Sequence, residues 1–179
     1  DYFPNVFEYL GLDPDLDSVY KYINSFSLYE FDPSQSVAGG IVDGETVYLD
    51  SVEVLNNSFF RSYGYINSED STYWMVAPTN EVWTALYDEY RNYYVYNSTV
   101  SRPDSMQEAN AKRSIIYGAF FNRTDNKDVA FQDSAVSTIA PSATKRSMGN
   151  IDIYGIYYKP FDEGGVFYGT EDIECSNGH

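Results

Sequence analysis

The sequence predicts an α+β domain, and three observations support that class. Apolar residues recur at helical spacing in several segments up to residue 120, most clearly over residues 16–26. Asp43-Gly44 lies between two apolar runs, which is a strong signal for a hairpin. From Asp125 onward, short runs alternate apolar and polar residues as strands do. The 179 residues are enough for one domain, 1–179, with a sizeable core.

The predicted elements follow in order. Residues 3–10 form a helix that Gly11 ends, and residues 16–26 form a second helix. A hairpin near 41–55 precedes a short helix that ends at Gly64. The run 73–77 is a strand with Val76 buried, and Pro78 terminates it.

A longer helix follows from about Thr79 to Tyr94, with Trp83 and Leu86 packed under the sheet. A capping box over residues 105–108 opens another helix. Its predicted apolar positions are Ala109, Ile115, Ile116, Ala119 and Phe120. Strands are then expected near 129–131, 151–160, 166–168 and 173–175, and Asn177-Gly178 forms a turn.

Composition excludes several classes of function. Acids outnumber bases 27 to 11, for a formal net charge of −16, so nucleic acid is not an expected partner. An aromatic content of 18% excludes a disordered acidic tail. The longest unbroken apolar run covers residues 73–77, far short of a transmembrane segment.

Cys175 and His179 are the single cysteine and the single histidine, so no intrachain disulfide forms and a zinc site lacks ligands. Asp13, Asp15 and Asp17 alternate as in a calcium loop. However, Ser18 stands where such a loop needs glycine, and Asn24 stands where it needs glutamate. We therefore interpret these acids as helix caps and expect no metal and no cofactor.

Residues 73–83, YWMVAPTNEVW, resemble the first signature of fasciclin-type domains, usually written T-V-F-A-P-T-N-E-A-F. The residues identical to that signature are Ala77, Pro78, Thr79, Asn80 and Glu81. Ser176, Asn177, Gly178 and His179 resemble the opening of the family's second signature, with the histidine one place early. Residues 115–118 resemble an intervening L-L-x-Y-H segment in which Gly118 replaces the histidine.

The resemblance implies a wedge of two β-sheets wrapped by several helices, with the hairpin near 41–55 as an addition. It also implies adhesion or binding at a bacterial cell surface, with a surface protein or a glycan as partner. Bacterial relatives of this kind resemble secreted lipoproteins, so a leader and a lipid anchor are expected outside these residues. We further expect the natural chain to continue past His179 into a last strand, which leaves a sheet edge near 166–168 or 173–175 uncovered.

Two sets of residues are candidates for function. The signature residues either cap a helix and fix a strand end, which we favour, or form a recognition motif. The second set is a tyrosine cluster at one helix end, which either stacks on a ligand or replaces leucine on half-buried faces. Its members are Tyr87, Tyr90, Tyr93, Tyr94 and Tyr96.

Our leading interpretation is a non-enzymatic binding module without catalytic residues. One alternative is a glycoside hydrolase, because adjacent acids occur at 69–70, 88–89, 162–163 and 171–172. The other alternative is a spacer within a longer surface protein. Cys175 is expected to be a buried, inert thiol.

Overall fold

A computed structural model describes residues 2–70, 72–97, 99–116, 119–121, 135–141, 154–158, 162–165 and 167–179. Helices and small antiparallel sheets alternate along the chain, so the α+β class is confirmed. The predictions for residues 117–118, 129–131, 151–153 and Val166 lie outside the described residues.

Two helices open the chain. Helix α1 spans Val6–Leu12, and the Asn5 side chain caps it by accepting from the Glu8 amide. The predicted stop at Gly11 is wrong, because the helix continues through it. A Cβ on Gly11 would lie 2.9 Å from the Tyr20 ring, so the glycine makes room for the next helix. A 3-10 turn over Pro14–Leu16 leads into that helix, α2, over Asp17–Asn24.

The predicted hairpin forms the end of a longer two-stranded arm. Strands β1, Ser27–Phe31, and β4, Glu53–Asn57, pair at its base, and β2, Val37–Val42, pairs with β3, Glu45–Asp50, at its tip. Both turn residues take positive φ, 52° at Asp43 and 83° at Gly44, so the hairpin prediction is confirmed.

Helix α3 spans Ser58–Tyr63 behind an Asn57 cap and ends at Gly64, where φ is 141°. The predicted end at Gly64 is therefore confirmed. The second half of the chain contributes a sheet in the order β5, β6, β7 and β8, all antiparallel. Its strands are Trp74–Met75, Phe120–Phe121, Ala135–Pro141 and Tyr154–Tyr158.

Strand β5 is shorter than predicted. It covers Trp74–Met75 with a bridge at Tyr73, and residues 76–77 lie outside it. Val76 is half-buried, which corrects the prediction that it is buried, because the chain there already faces a groove. Helix α4, Asn80–Tyr90, and the 3-10 turn Arg91–Tyr93 confirm the next prediction. Trp83 is buried on this helix.

Helix α5 spans Pro103–Ile116 and begins before the predicted capping box, because proline fits the first helical position. Ala109 is exposed, and Ala111 is buried in its place. Ala119 and Phe120 lie beyond the helix, and Phe120 begins β6. The predicted helix is thus confirmed, with corrected ends and a corrected buried face.

The C-terminal segment contains no strand among its described residues at 167–168 or 173–175, so those two predictions are wrong. Residues 167–169 form turns, and Cys175 makes a bridge to Gly178 across a second turn. Gly178 then pairs in parallel with Tyr73, and the His179 carbonyl accepts from the Met75 amide at 3.0 Å. The chain therefore adds to the free side of β5 opposite β6.

One hydrophobic core lies between the helices and β5. Its most deeply buried members are Val19, Ile23, Phe60, Ile66, Ile116 and Phe120. Within the described residues, no helix has the length and apolar character that a membrane crossing requires.

Candidate functional site

The first signature holds three helical segments together. Thr79 caps α4 by accepting from the Val82 amide, which confirms the capping interpretation for this residue. The Asn80 side chain accepts from the Ser18 amide at 2.8 Å and donates to the Pro14 carbonyl at 2.9 Å. Glu81 is exposed in the first turn of α4. Asn80 thus ties α4 to the start of α2, a contact that capping rules do not predict.

The second signature is also tied into the structure. The Asn177 side chain is buried, and its oxygen accepts from the Val6 amide at 2.8 Å. Its amide group donates to the carbonyls of Ile66 at 2.8 Å and Ser68 at 2.9 Å. Ser176 donates its amide to the Pro4 carbonyl, and Gly178 lies against the Tyr73 backbone. Asn177 therefore joins α1, the loop after α3 and β5 at one point.

Four of the five tyrosines of the predicted cluster are half-buried. Tyr87 and Tyr90 pack against the core. The Tyr94 hydroxyl is 2.7 Å from the Ser114 hydroxyl, and the Tyr96 hydroxyl accepts from Asn110 at 2.7 Å. These two bonds join the end of α4 to α5. Tyr93 is the exposed member, so the five rings do not form one exposed platform.

A groove of about 330 Å³ lies beside the C-terminal end of β5. Apolar residues of α1 and β5, among them Leu10 and Met75, form part of its lining, together with Val76 just after β5. Asp13 and Asp15 line it from the segment after α1, and Glu171 and Asp172 line it from the C-terminal segment. The groove therefore combines an apolar surface with carboxylates from two separate segments of the chain.

Several contacts fix the groove's polar groups. The Tyr9 hydroxyl donates to Asp13 at 3.2 Å, and burial, that bond and the nearby carboxylates raise the pKa of Tyr9. His179 bonds Asp172 through Nδ1 at 3.0 Å and stacks on Trp74 with ring centroids 4.3 Å apart.

Cys175 in the groove wall is buried, and burial followed by the neighbouring Glu174 raises its pKa to about 11. The prediction of a buried thiol is confirmed. A thiol that is protonated at neutral pH is a poor nucleophile.

Two of the acids compared above with a calcium loop, Asp13 and Asp17, have other bonding partners. Asp13 accepts from the Asp15 amide as the cap of the 3-10 turn, so the capping interpretation is confirmed for Asp13. Asp17 pairs with Lys21 at 2.7 Å. In the part of the chain that the structure describes, no three His, Cys, Asp or Glu side chains group closely enough to hold a metal ion.

The arm, residues 27–57, carries many of the exposed apolar side chains in the described part of the chain. None of residues 28–56 is buried, and its strands pair only with each other among the described residues. Tyr29 is opposite Leu55 in the register, and Phe31 is on the same face two residues on. The Phe31 and Tyr48 rings meet edge to face at 4.8 Å, which extends this face into the arm's tip.

Ile41 completes the aromatic face, because it is opposite Thr46, which shares a face with Tyr48. Tyr29 and Ile41 expose 69% and 75% of their surface. Sequence reasoning identified the hairpin but missed this surface. The available signal was that apolar residues occur on both faces of the strands in this segment.

Comparison of the chain with protein-family models, with curated proteins and with solved structures found no match. The fold and the geometry of these surfaces therefore carry the functional argument.

Proposed function

We propose that this protein is a non-enzymatic binding module and that the arm is its binding element. The observation behind the proposal is the arm's aromatic face, on which Tyr29, Phe31, Ile41 and Leu55 are exposed and Tyr48 is half-buried. A solvent-exposed ribbon with an apolar face contributes little to a core. Exposed contiguous apolar patches on soluble proteins commonly mark interaction sites.

The biological setting of the proposal comes from the fasciclin-type resemblance. The motif at 77–81 and the turn at 176–178 support kinship with that family and its wedge of two sheets. On this proposal the protein acts in adhesion at a bacterial cell surface, after secretion, with a surface protein or a glycan as ligand. The signature residues then maintain the scaffold, and the arm provides contact with the ligand.

A binding array tests the proposal directly. The probes are immobilised glycans and purified matrix proteins, and the control is a variant that lacks the arm. Leu28 and Asn56 are directly opposite each other in the register, so a two-residue Asn-Gly turn can replace residues 29–55. The variant retains Asn57, whose side chain bonds the Ile23 carbonyl and caps α3.

We expect the intact chain to bind at least one array member and the armless variant to lose that binding. Circular dichroism should give the two proteins the same helical signal, because the deletion leaves every helix intact. Equal binding by both proteins would contradict the proposal. An array without any bound member would favour the spacer alternative.

The groove supports a second candidate function, a carboxylate-based glycoside hydrolase. The observation that favours it is that two acids from one segment of the chain, Asp13 and Asp15, and two from another, Glu171 and Asp172, line the same groove. Chromogenic glycosides test this candidate, with Asp13→Asn and Glu171→Gln as the informative variants. If the intact chain hydrolyses a glycoside and either substitution abolishes that activity, the hydrolase is favoured over the binding module.

A further inference from the structure

The charge of the arm is entirely negative. Its acids are Glu30, Asp32, Asp43, Glu45, Asp50 and Glu53. None of the chain's 11 Lys and Arg residues falls between 27 and 57. The Asp32 carboxylate accepts from Ser34 and Gln35, and these bonds lower its pKa, so the charge at that turn persists in mild acid.

The arm therefore presents two properties at once. Its aromatic face offers an apolar surface to a partner, and the same narrow ribbon carries six carboxylates, with Glu53 paired opposite Phe31 on that face. Like charges placed opposite each other oppose association, so a second copy of the arm is a poor partner. A partner surface that carries both cations and apolar side chains complements the arm's carboxylates and its apolar face.

We propose that the aromatic face of the arm binds a protein surface that is both basic and apolar. The inference rests on the proposed binding function and specifies its partner class. Tyr and Phe are typical interface residues, because they bury a large area at a small cost in conformational entropy. Lys and Arg on the partner pair with the arm's carboxylates, which favours encounter and selects the partner.

The opposite face of the arm provides a matched control. Leu28 precedes Tyr29 and Leu49 follows Tyr48, so both leucines point away from the aromatic face. They expose 63% and 77% of their surface, close to the values for Tyr29 and Ile41. The double variant Tyr29→Ser, Ile41→Ser removes two exposed apolar groups from the aromatic face. The double variant Leu28→Ser, Leu49→Ser removes two from the opposite face.

The probes are three labelled peptides of about twelve residues, long enough to span a strand of the arm. One alternates Arg with Leu, the second replaces Arg with Glu, and the third replaces Leu with Ser. Fluorescence anisotropy measures their affinity for the intact chain and for the two double variants. The second peptide isolates the charge requirement, and the third isolates the apolar requirement.

We expect the Arg-Leu peptide to bind at least about tenfold more tightly than the other two. The Tyr29→Ser, Ile41→Ser variant should lose about tenfold in affinity, and the Leu28→Ser, Leu49→Ser variant should stay within about twofold. Raising the salt from about 50 to about 500 mM should weaken binding.

The inference would be overturned if the Glu-Leu or the Arg-Ser peptide bound as tightly as the Arg-Leu peptide. Equal losses of affinity in the two double variants would overturn it as well. The inference would also be overturned if the intact chain binds array members through its arm but binds none of the three peptides. The proposed function would still stand in that case. An array without arm-dependent binding defeats the proposed function itself. Concentration-dependent dimerisation through the arm would identify a second copy as the partner and would also overturn the inference.

Discussion

The side-chain oxygen of Asn177 accepts a hydrogen bond from the Val6 amide at 2.8 Å, across 171 residues of chain. That bond satisfies one of the free amides at the start of α1, and the same side chain donates to two loop carbonyls. A residue that resembles part of a family signature thus connects the two ends of the described structure.

Replacing Asn177 with alanine should destabilise the fold by about 2–4 kcal/mol, because three bonding groups lose their partner and two of those bonds are buried. Asn92→Ala is the control, since that exposed side chain makes one bond to the Asp88 carbonyl. The control should change stability by less than about 0.5 kcal/mol. Urea unfolding measures both values, and similar values for the two variants would contradict the role given to Asn177.

Gly178→Ala should cost more than about 3 kcal/mol or prevent folding. The φ angle of Gly178 is 146°, and an added Cβ would lie 1.8 Å from the Tyr73 carbonyl oxygen. Gly40 has a similar φ of 137° but has open space around its Cβ position. Gly40→Ala should therefore cost only about 1 kcal/mol. Thermal melting of the two variants separates the effect of the steric clash from that of backbone strain. Equal losses of stability in the two variants would refute the close approach of Gly178 to the chain at β5.

Asn80→Ala should lower the free energy of unfolding by about 1–2 kcal/mol, because its bonds to Ser18 at the start of α2 and to Pro14 in the preceding 3-10 turn disappear. Glu81→Ala should cost less than about 0.5 kcal/mol, as its side chain is exposed. Both variants should retain array binding. Unchanged stability with lost binding in Asn80→Ala would make the signature a recognition motif instead.

The Cys175 thiol should react slowly with a disulfide reagent at pH 8 in the native protein and quickly in denaturant, because its pKa lies near 11. The folded protein keeps the thiol proton to higher pH than the unfolded chain does. The resulting stabilisation is therefore complete below pH 9.0 and is lost as the pH rises toward 11. Cys175→Ala should reduce the loss of unfolding free energy between pH 9 and pH 11. The same pH dependence of stability in the variant would argue against the raised pKa of Cys175.

The sequence predicted the helices and the hairpin well, because these depend on local features. The Asp43-Gly44 turn and the Thr79 cap are determined by the backbone preferences of a few neighbouring residues. The end of α1 was mispredicted, because Gly11 meets the requirement of a distant ring, Tyr20, instead of ending the helix.

The candidate sites depended on tertiary contacts and were less predictable. The tyrosines at 94 and 96 face α5, a contact that appears only when the two helices pack. The length of β5 and the half-burial of Val76 depend on the groove beside them. The arm's apolar residues resembled core residues in sequence, and only the fold leaves them uncovered.

Hydrogen–deuterium exchange on the complex with an array ligand tests the central claim most directly, because it compares every described surface at once. The account predicts new protection confined to residues 27–57, with the exchange of residues 79–96 and 176–179 unchanged. Protection that appears at the tyrosines of 87–96, at the groove or at the signature turns, with the arm unaffected, would contradict it.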